Sequence, residues 1–592
     1  MRRLLLLLVL AGSSISAQNI SMQLMGTYAT GIFDDAGTEI ITYDPTTQRI
    51  FSTNGSTKKV DVINISNPSS PTLVTSWTIG GGGINSIACK NGIIAVAVEN
   101  LVKQDSGRVV FLDANGTKLD SVTVGALPDM VTFSPNGLMV LTANEGEPSD
   151  DYLVDPNGSV SIIELANAGL PLSISSVTHL DFSSVTSAQL DSTVRINGNN
   201  GAATIAQDLE PEYVAISEDN SVAWVSLQEN NALAEIDLTS RTLIAIHGMG
   251  YKDHSLFSNA LDASDRRNIV EITNHDHLFG LYMPDAIATF TVNNSHYLIT
   301  ANEGDGRDYS AFSDEERVKD LTLDGTAFPN ASLVQQDTVL GRLTVSTSEG
   351  DVDNDGDYDY LCTFGGRSFS IWDIDQATLI YDSGNELEQQ VLASEPQYFN
   401  SNNDDNNSFK NRSDNKGPEP EAVEIAVING RTFAFIGLER QSGVMIFDVS
   451  NPSAPIFEDF VNNRDFSQSA TTAAAGDLGP EDVLYIPATS SPNGKHLVAV
   501  SNEVSGSVSI YELIGQYVGL EEAEYQMEIR VFPNPSVGLF HLDRPADIEV
   551  VDITGKVILT KENVQSFDLS GVSKGIYFVR VNDQPIQKLI LD

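Results

Sequence analysis

Two cysteines in 592 residues, Cys89 and Cys362, exclude a disulfide framework. Each sits in a strand-like apolar run, and we expect two buried free thiols, although the sequence leaves their pairing open. Basic residues are scarce: 33 Lys and Arg stand against 81 Asp and Glu, a formal charge of −48. That imbalance excludes a general affinity for nucleic acid or anionic membrane and favours cations or basic partners, while also keeping a secreted surface soluble. The eight histidines show no zinc-ligand spacing; His254 stands beside Asp253, and His275 and His277 share one stretch. No Gly-x-Ser-x-Gly, phosphate-binding glycine loop or dinucleotide fingerprint occurs. Long helical periodicity is nearly missing, and Ser313–Asp320 is the best stretch for a short helix. Beyond the first residues, no apolar run is long enough to cross a bilayer as a helix.

What is present begins with a secretory pattern. Arg2 and Arg3 precede the apolar Leu4–Ala11, and Ile15-Ser16-Ala17 ends on a small residue, which predicts a signal peptide over 1–17. Short alternating runs rich in Val, Ile, Thr and aromatics then follow one another between Asn-Gly, Pro-Asn-Gly and Asn-Pro turns. The runs repeat. Pro135-Asn136-Gly137 leads to Thr142-Ala143-Asn144-Glu145-Gly146 and Gly158-Ser159-Val160-Ser161-Ile162. Pro492-Asn493-Gly494 leads to Ser501-Asn502-Glu503 and Gly506-Ser507-Val508-Ser509-Ile510. Units start near Ile40, Ser86, Met130, Val214, Ala286, Ala422 and Val483, with a divergent eighth at Asp359–Asp382. Three or four short strands per unit and seven or eight units predict an all-β fold, a seven- or eight-bladed β-propeller over 25–515. Insertions of roughly 165–208, 247–280, 305–340 and 385–418 interrupt the spacing. Asp253–Arg267 has enough apolar content to pack, whereas the Asn-rich 400–411 reads as disordered or metal-dependent.

Aligning the units places an acidic residue before the first strand: Glu39, Asp129, Glu212, Asp285, Glu421 and Glu481. Another follows the second strand: Glu99, Glu145, Glu229, Glu303, Glu439 and Glu503. Equivalent positions of propeller blades meet around one axis, so these carboxylates converge unless each caps its own strand. Converging carboxylates need a proton, a basic side chain or a metal ion. Glu145, Glu212, Asp285, Glu303 and Glu421 are therefore candidate axial metal ligands, and hard calcium is the metal that suits them. A second calcium candidate is Asp351-Val352-Asp353-Asn354-Asp355-Gly356-Asp357-Tyr358-Asp359. Asp351, Asp353, Asp355 and Asp359 occupy loop positions 1, 3, 5 and 9 with Gly at 6, and Cys362 stands where an EF-hand carries its bidentate Glu. Arg412 and Lys416 are the cations best placed to handle a phosphoryl group, with a salt-bridged loop as the alternative reading.

Two resemblances follow from these motifs. Thr142–Gly146 and Thr300–Gly304, Lys252–Leu256, Leu261–Asp265, Met283–Ala286, Asp355–Asp359, Phe364–Phe369 and Arg412–Glu421 together resemble the choice-of-anchor I family. The resemblance implies a secreted or surface propeller; family members carry alkaline-phosphatase-like or mesenchyme-type glycoprotein labels. After a linker at 516–524, residues 525–592 resemble a type A sorting domain of the type IX secretion system, through Phe532-Pro533-Asn534-Pro535, Gly555-Lys556 and Gly575-Ile576-Tyr577. That resemblance implies export across an outer membrane, with the type IX machinery as partner, to the extracellular space or cell surface. The expected function is a calcium-stabilised propeller that binds an extracellular ligand through an acidic central face. The alternative is a calcium-dependent phosphoesterase, alkaline phosphatase- or phytase-like, using the ring carboxylates for metal and Arg412 or Lys416 for the phosphoryl group.

Overall fold

The apolar runs become antiparallel hairpins because their turns suit the twist of paired strands. Asn91-Gly92 and Asn429-Gly430 both carry two consecutive positive φ angles (51° and 79°, 50° and 78°), as a two-residue type I′ turn requires. The computed structural model describes residues 20–515, 531–582 and 587–591, so the predicted signal peptide and linker lie outside the described residues. The chain divides into two compact units, 1–517 and 518–592.

Among its described residues the first unit contains seven four-stranded antiparallel sheets. Their innermost strands are Ile41–Asp44, Ile84–Lys90, Pro128–Phe133, Val214–Ile216, Ile287–Val292, Pro420–Ile428 and Pro480–Ile486. Each neighbours the next in this order and the last neighbours the first, which closes the ring of a β-propeller. Closure is made by the N-terminal strand Ser21–Ala29, which pairs with Ser507–Ile514 as the outermost strand of the seventh sheet. Second strands such as Ile93–Val98 and Leu497–Asn502 are buried throughout because neighbouring sheets cover both faces. Each fully buried Val or Ile there contributes about 1.5–3 kcal/mol. Outer strands such as Thr72–Thr78 face solvent.

Two expectations are corrected, and of the two readings of the Asn-rich stretch disorder is set aside. The divergent eighth unit is not a sheet of its own. Ser368–Asp373 and Thr378–Asp382 complete the fifth sheet, whose first two strands, Ile287–Val292 and Ser295–Asn302, are separated from them by a long insertion. Leu361–Thr363 instead pairs in parallel with Leu278–Leu281, beside Tyr251–Asp253. Ser313–Asp320 is not a helix. Glu315–Arg317 pairs with Thr344–Ser346, and only Val318–Asp320 turns as 3-10. The longest helix among the described residues is Glu386–Ser394. The Asn-rich 400–411 is wound and packed, with Asn400, Ser401, Asn403 and Lys410 buried; Arg464 donates to Asn406 Oδ1 at 2.7 Å and to the Asn402 carbonyl. Polar side chains here satisfy a buried loop that composition alone marks as disordered.

The insertions build a satellite core from Leu261, Ala263, Val318, Phe328, Leu340 and Leu343, so the 253–267 segment packs as expected. Both thiols are free; Cys362 is buried and Cys89 half-buried, each in a different sheet. The second unit folds Leu539–Asp552, Val557–Asp568, Gly575–Val581 and Gln587–Leu591 around its own core of Phe540, Val550, Phe567, Val579 and Leu589. No helix among the described residues is long and apolar enough to cross a membrane.

Candidate functional site

The repeated Thr-Ala-Asn-Glu-Gly divides its work between two residues. The Asn turns into the sheet: Asn302 accepts from Thr300 Oγ1 at 2.8 Å and donates to Ser370 Oγ at 2.8 Å. Asn144 does the same with Thr142 and Ser161, at 2.9 and 3.0 Å. This explains why Gly-Ser-Val-Ser-Ile follows: its serines meet the Asn across the strand pair. The next residue, Glu, sits at the strand end on the axis. Gly304 then brings the chain against Gly365, where any Cβ would fall 2.0 Å from the Gly365 amide nitrogen, so a side chain is excluded.

Entry to the innermost strand is equally constrained. Leu127, Met283, Glu419 and Gly479 each precede a proline and each has a positive φ, between 45° and 68°. This uncommon turn delivers the following Pro-acid pair to the axis.

The axial carboxylates converge. A cavity of about 340 Å³ is lined by Glu39, Glu99, Asp129, Glu145, Asp285, Glu481 and Asp482, with Lys103 as its one basic residue among the described ones and Ile40, Met130, Tyr213 and Val423 among its apolar ones. Burial pushes Glu39 up to about 8, with Glu503 and Asp129 adding repulsion. Asp129 rises to about 6 through burial and Glu147. Glu229 rises to about 7 through burial, against the pull of Arg307, and Glu439 to about 8 through burial and Glu419. Glu145, Glu212, Asp285, Glu421 and Glu481 are driven well above the ordinary carboxylate range, by burial first and by neighbouring carboxylates second. Two ionised carboxylates about 5 Å apart repel by about 3 kcal/mol at an effective dielectric of about 20, which is why protons or cations must join them.

The five predicted axial residues separate into two groups. Glu145 and Glu212 come together with Glu229, and Asp285, Glu303 and Glu421 form a second set; within each, one oxygen per residue lies within 4.8 Å of the others. A third set, Glu303, Glu419 and Glu439, shares Glu303 with the second. Oε2 of Glu212, Glu229 and Glu421 has no hydrogen-bond partner among the described residues. Glu419 is absent from the sequence-based candidates, yet it is fully buried and anchors both predicted cations. Arg412 donates to it through Nε and Nη2, both at 3.0 Å, and Lys416 lies 3.0 Å away while also reaching Glu303 Oε1 at 2.6 Å. Burial raises the Glu419 carboxyl, but Lys416, Arg412 and Arg440 outweigh it and hold it at about 2. The signal was in the chain: Pro418-Glu419-Pro420-Glu421 doubles the Pro-acid motif. Arg307, in the acidic loop that follows the second Thr-Ala-Asn-Glu-Gly, buries its guanidinium against Glu210 at 2.8 Å.

In the acidic loop, Asp351, Asp353 and Asp355 each bring an oxygen within 4.8 Å of the other two. The Asp351 oxygens accept from the amides of Asp355 and Gly356, both at 3.1 Å, and Gly356 supplies the turn at φ 96°. Asp359 is not in this set; its Oδ2 accepts from the Val352 amide at 2.9 Å and closes the loop.

Fold and site together define a β-propeller with a carboxylate-lined axis, followed by a separate β module. The chain belongs to the choice-of-anchor I family, whose domain profile matches residues 39–452, and residues 530–592 match the secretion system C-terminal sorting domain. The protein is thus exported by type IX secretion to the extracellular space or cell surface. Gigasin-3a of Magallana gigas is 32% identical over 192 residues, 31% of this chain and 67% of that protein. The mesenchyme-specific cell surface glycoprotein of Strongylocentrotus purpuratus is 27% identical over 358 residues, 54% of this chain but only 42% of its own length. Among solved structures, the β-propeller domain of Myceliophteria thermophila Cps50 (Swd1) has a TM-score of 0.40 at 8% identity, covering 83% of this chain and all of that one (100%).

Proposed function

We propose that this surface propeller takes a positively charged ligand into its axial cavity and is stabilised by calcium. The carrying observation is the cavity itself, where carboxylates face one ammonium among the described residues, Lys103, already bridged to Glu147. Its apolar residues, Ile40, Met130 and Val423, suit a cation carried on an aliphatic chain. Calcium belongs first to the Asp351–Asp355 loop, whose three clustered carboxylates are hard oxygen donors.

The phosphoesterase reading keeps one supporting observation: Lys416 lies beside the Asp285, Glu303 and Glu421 set. Against it, Arg412 and Lys416 are already bound by Glu419 and Glu303, so a phosphoryl group would have to compete with buried ion pairs.

One set of measurements tests the reading. Calcium should raise the melting temperature relative to EGTA, p-nitrophenyl phosphate should not turn over, and a fluorescein-labelled oligolysine should bind wild type but not Asp129→Asn/Glu481→Gln. Turnover abolished by Glu303→Gln and Glu421→Gln without unfolding would replace this reading with the hydrolase. An unmoved melting temperature would remove calcium.

A further inference from the structure

We infer that Glu145, Glu212 and Glu229 form a site for one calcium-sized hard cation on the axis, whereas the Glu303, Glu419 and Glu439 cluster is closed to cations. The inference rests on the axis being the binding face, but it concerns a different occupant from the cavity ligand.

Three observations carry it. First, one oxygen from each residue lies within 4.8 Å of the other two. That is the widest separation two oxygens can have on one ion at a calcium–oxygen distance of about 2.4 Å. Second, Glu212 and Glu229 are only 9% and 8% exposed, and Oε2 of each has no hydrogen-bond partner. A buried carboxylate oxygen without a donor needs a proton or a cation. Third, among the described residues no basic side chain makes an ion pair with the set; Lys103, whose charge acts on Glu145, is bridged to Glu147. Arg307, which acts on Glu229 electrostatically, directs its N–H groups to Glu210 Oε2, the Asp208 carbonyl and Asn197 Oδ1, each at 2.8 Å. Glu145 also lines the axial cavity, which gives an ion and its remaining water ligands a way in.

Two members of the contrasting cluster, Glu303 and Glu439, hold the repeat position of Glu145 and Glu229, but that cluster is already neutralised. Glu419 is held by Arg412 and Lys416, Glu303 by Lys416, and Glu439 by Arg440 at 3.1 Å and by Asn403 Nδ2 at 2.9 Å. An added cation there would have to expel buried ammonium or guanidinium groups. The donor set of the open cluster is all oxygen, with no His or Cys, which selects calcium over zinc; magnesium's demand for near-octahedral geometry disfavours it.

The test uses the full chain stripped of metal, in an Asp353→Asn/Asp355→Asn background that removes the acidic loop's contribution. Equilibrium dialysis with radiolabelled calcium should count one ion fewer per chain in Glu212→Gln/Glu229→Gln than in its parent, and no fewer in Glu439→Gln. In EGTA, the double variant should melt no lower than its parent, because Gln keeps the side-chain shape and neither Oε2 has a hydrogen bond to lose. Retention of the ion in the double variant, its loss in Glu439→Gln, or a double variant melting below its parent in EGTA would each overturn the inference. Oligolysine binding by the same proteins separates the two readings. An unexpected calcium count with peptide binding intact overturns the cation site alone, and lost peptide binding with the expected count overturns the ligand reading alone.

Discussion

His254 is held neutral by its surroundings. Nδ1 donates to the Asn259 carbonyl at 2.6 Å, and Nε2 is buried without a partner. Burial pushes its pKa down to about 3, and Lys252, Arg367 and His275 add positive charge while the Asn259 carbonyl opposes them. Lys252 is itself paired with Asp382 at 2.9 Å. An unfolded His titrates near 6.5, so between about 6.5 and 3 the unfolded chain binds a proton that the folded chain refuses. Stability from this residue is therefore complete above about 6.5 and lost as pH falls toward 3, by up to about 5 kcal/mol. Urea unfolding of wild type and His254→Gln at neutral and acidic pH should show wild type losing its advantage as pH drops. His275, lowered to about 4 mainly by burial, titrates in the same window in both proteins, so the difference reports His254 together with its repulsion from His275. A pH-independent difference would place the ionisation elsewhere.

At the scale of the strand, the repeat is a hydrogen-bonding instruction as much as an acidic one. In the fifth sheet Thr300, Asn302, Ser370 and Asp382 form one buried chain across three strands, and Lys252 Nζ closes it on Asp382. Asn302→Ala leaves Thr300 and Ser370 without their partner, at a cost of about 2 kcal/mol or more. Denaturant unfolding should show that loss with an unchanged m-value, and a neutral result would mean that solvent replaces the amide. The strand starts, the Asn-Gly turns and the ring of acidic positions were all legible, because each depends on a local pattern repeated around one axis. The fifth sheet's outer pair was misread as an eighth unit because a long insertion separates Asn302 from Ser368, and sequence spacing does not report spatial pairing. The division of the axis was hidden for a related reason. Arg412 and Lys416 arrive from an insertion, so the repeat alone cannot say that Glu303 and Glu419 are neutralised while Glu212 and Glu229 are not.

For the whole molecule, the −48 charge acts on kinetics before it acts on affinity. A positively charged ligand approaching a low-dielectric cavity lined by carboxylates is drawn in by field lines that reach about 30 Å at 0.01 M salt and only about 8 Å at 0.15 M. Contacts inside the cavity are shorter than either length and partly shielded from ions by burial. Raising salt should therefore slow oligolysine association by about tenfold or more while changing dissociation far less. Stopped-flow binding at low and physiological ionic strength reads both rates. A mainly salt-driven change in dissociation would mean that the peptide rests on the outer surface, where charges are screened throughout the complex, and would move the binding site away from the axis.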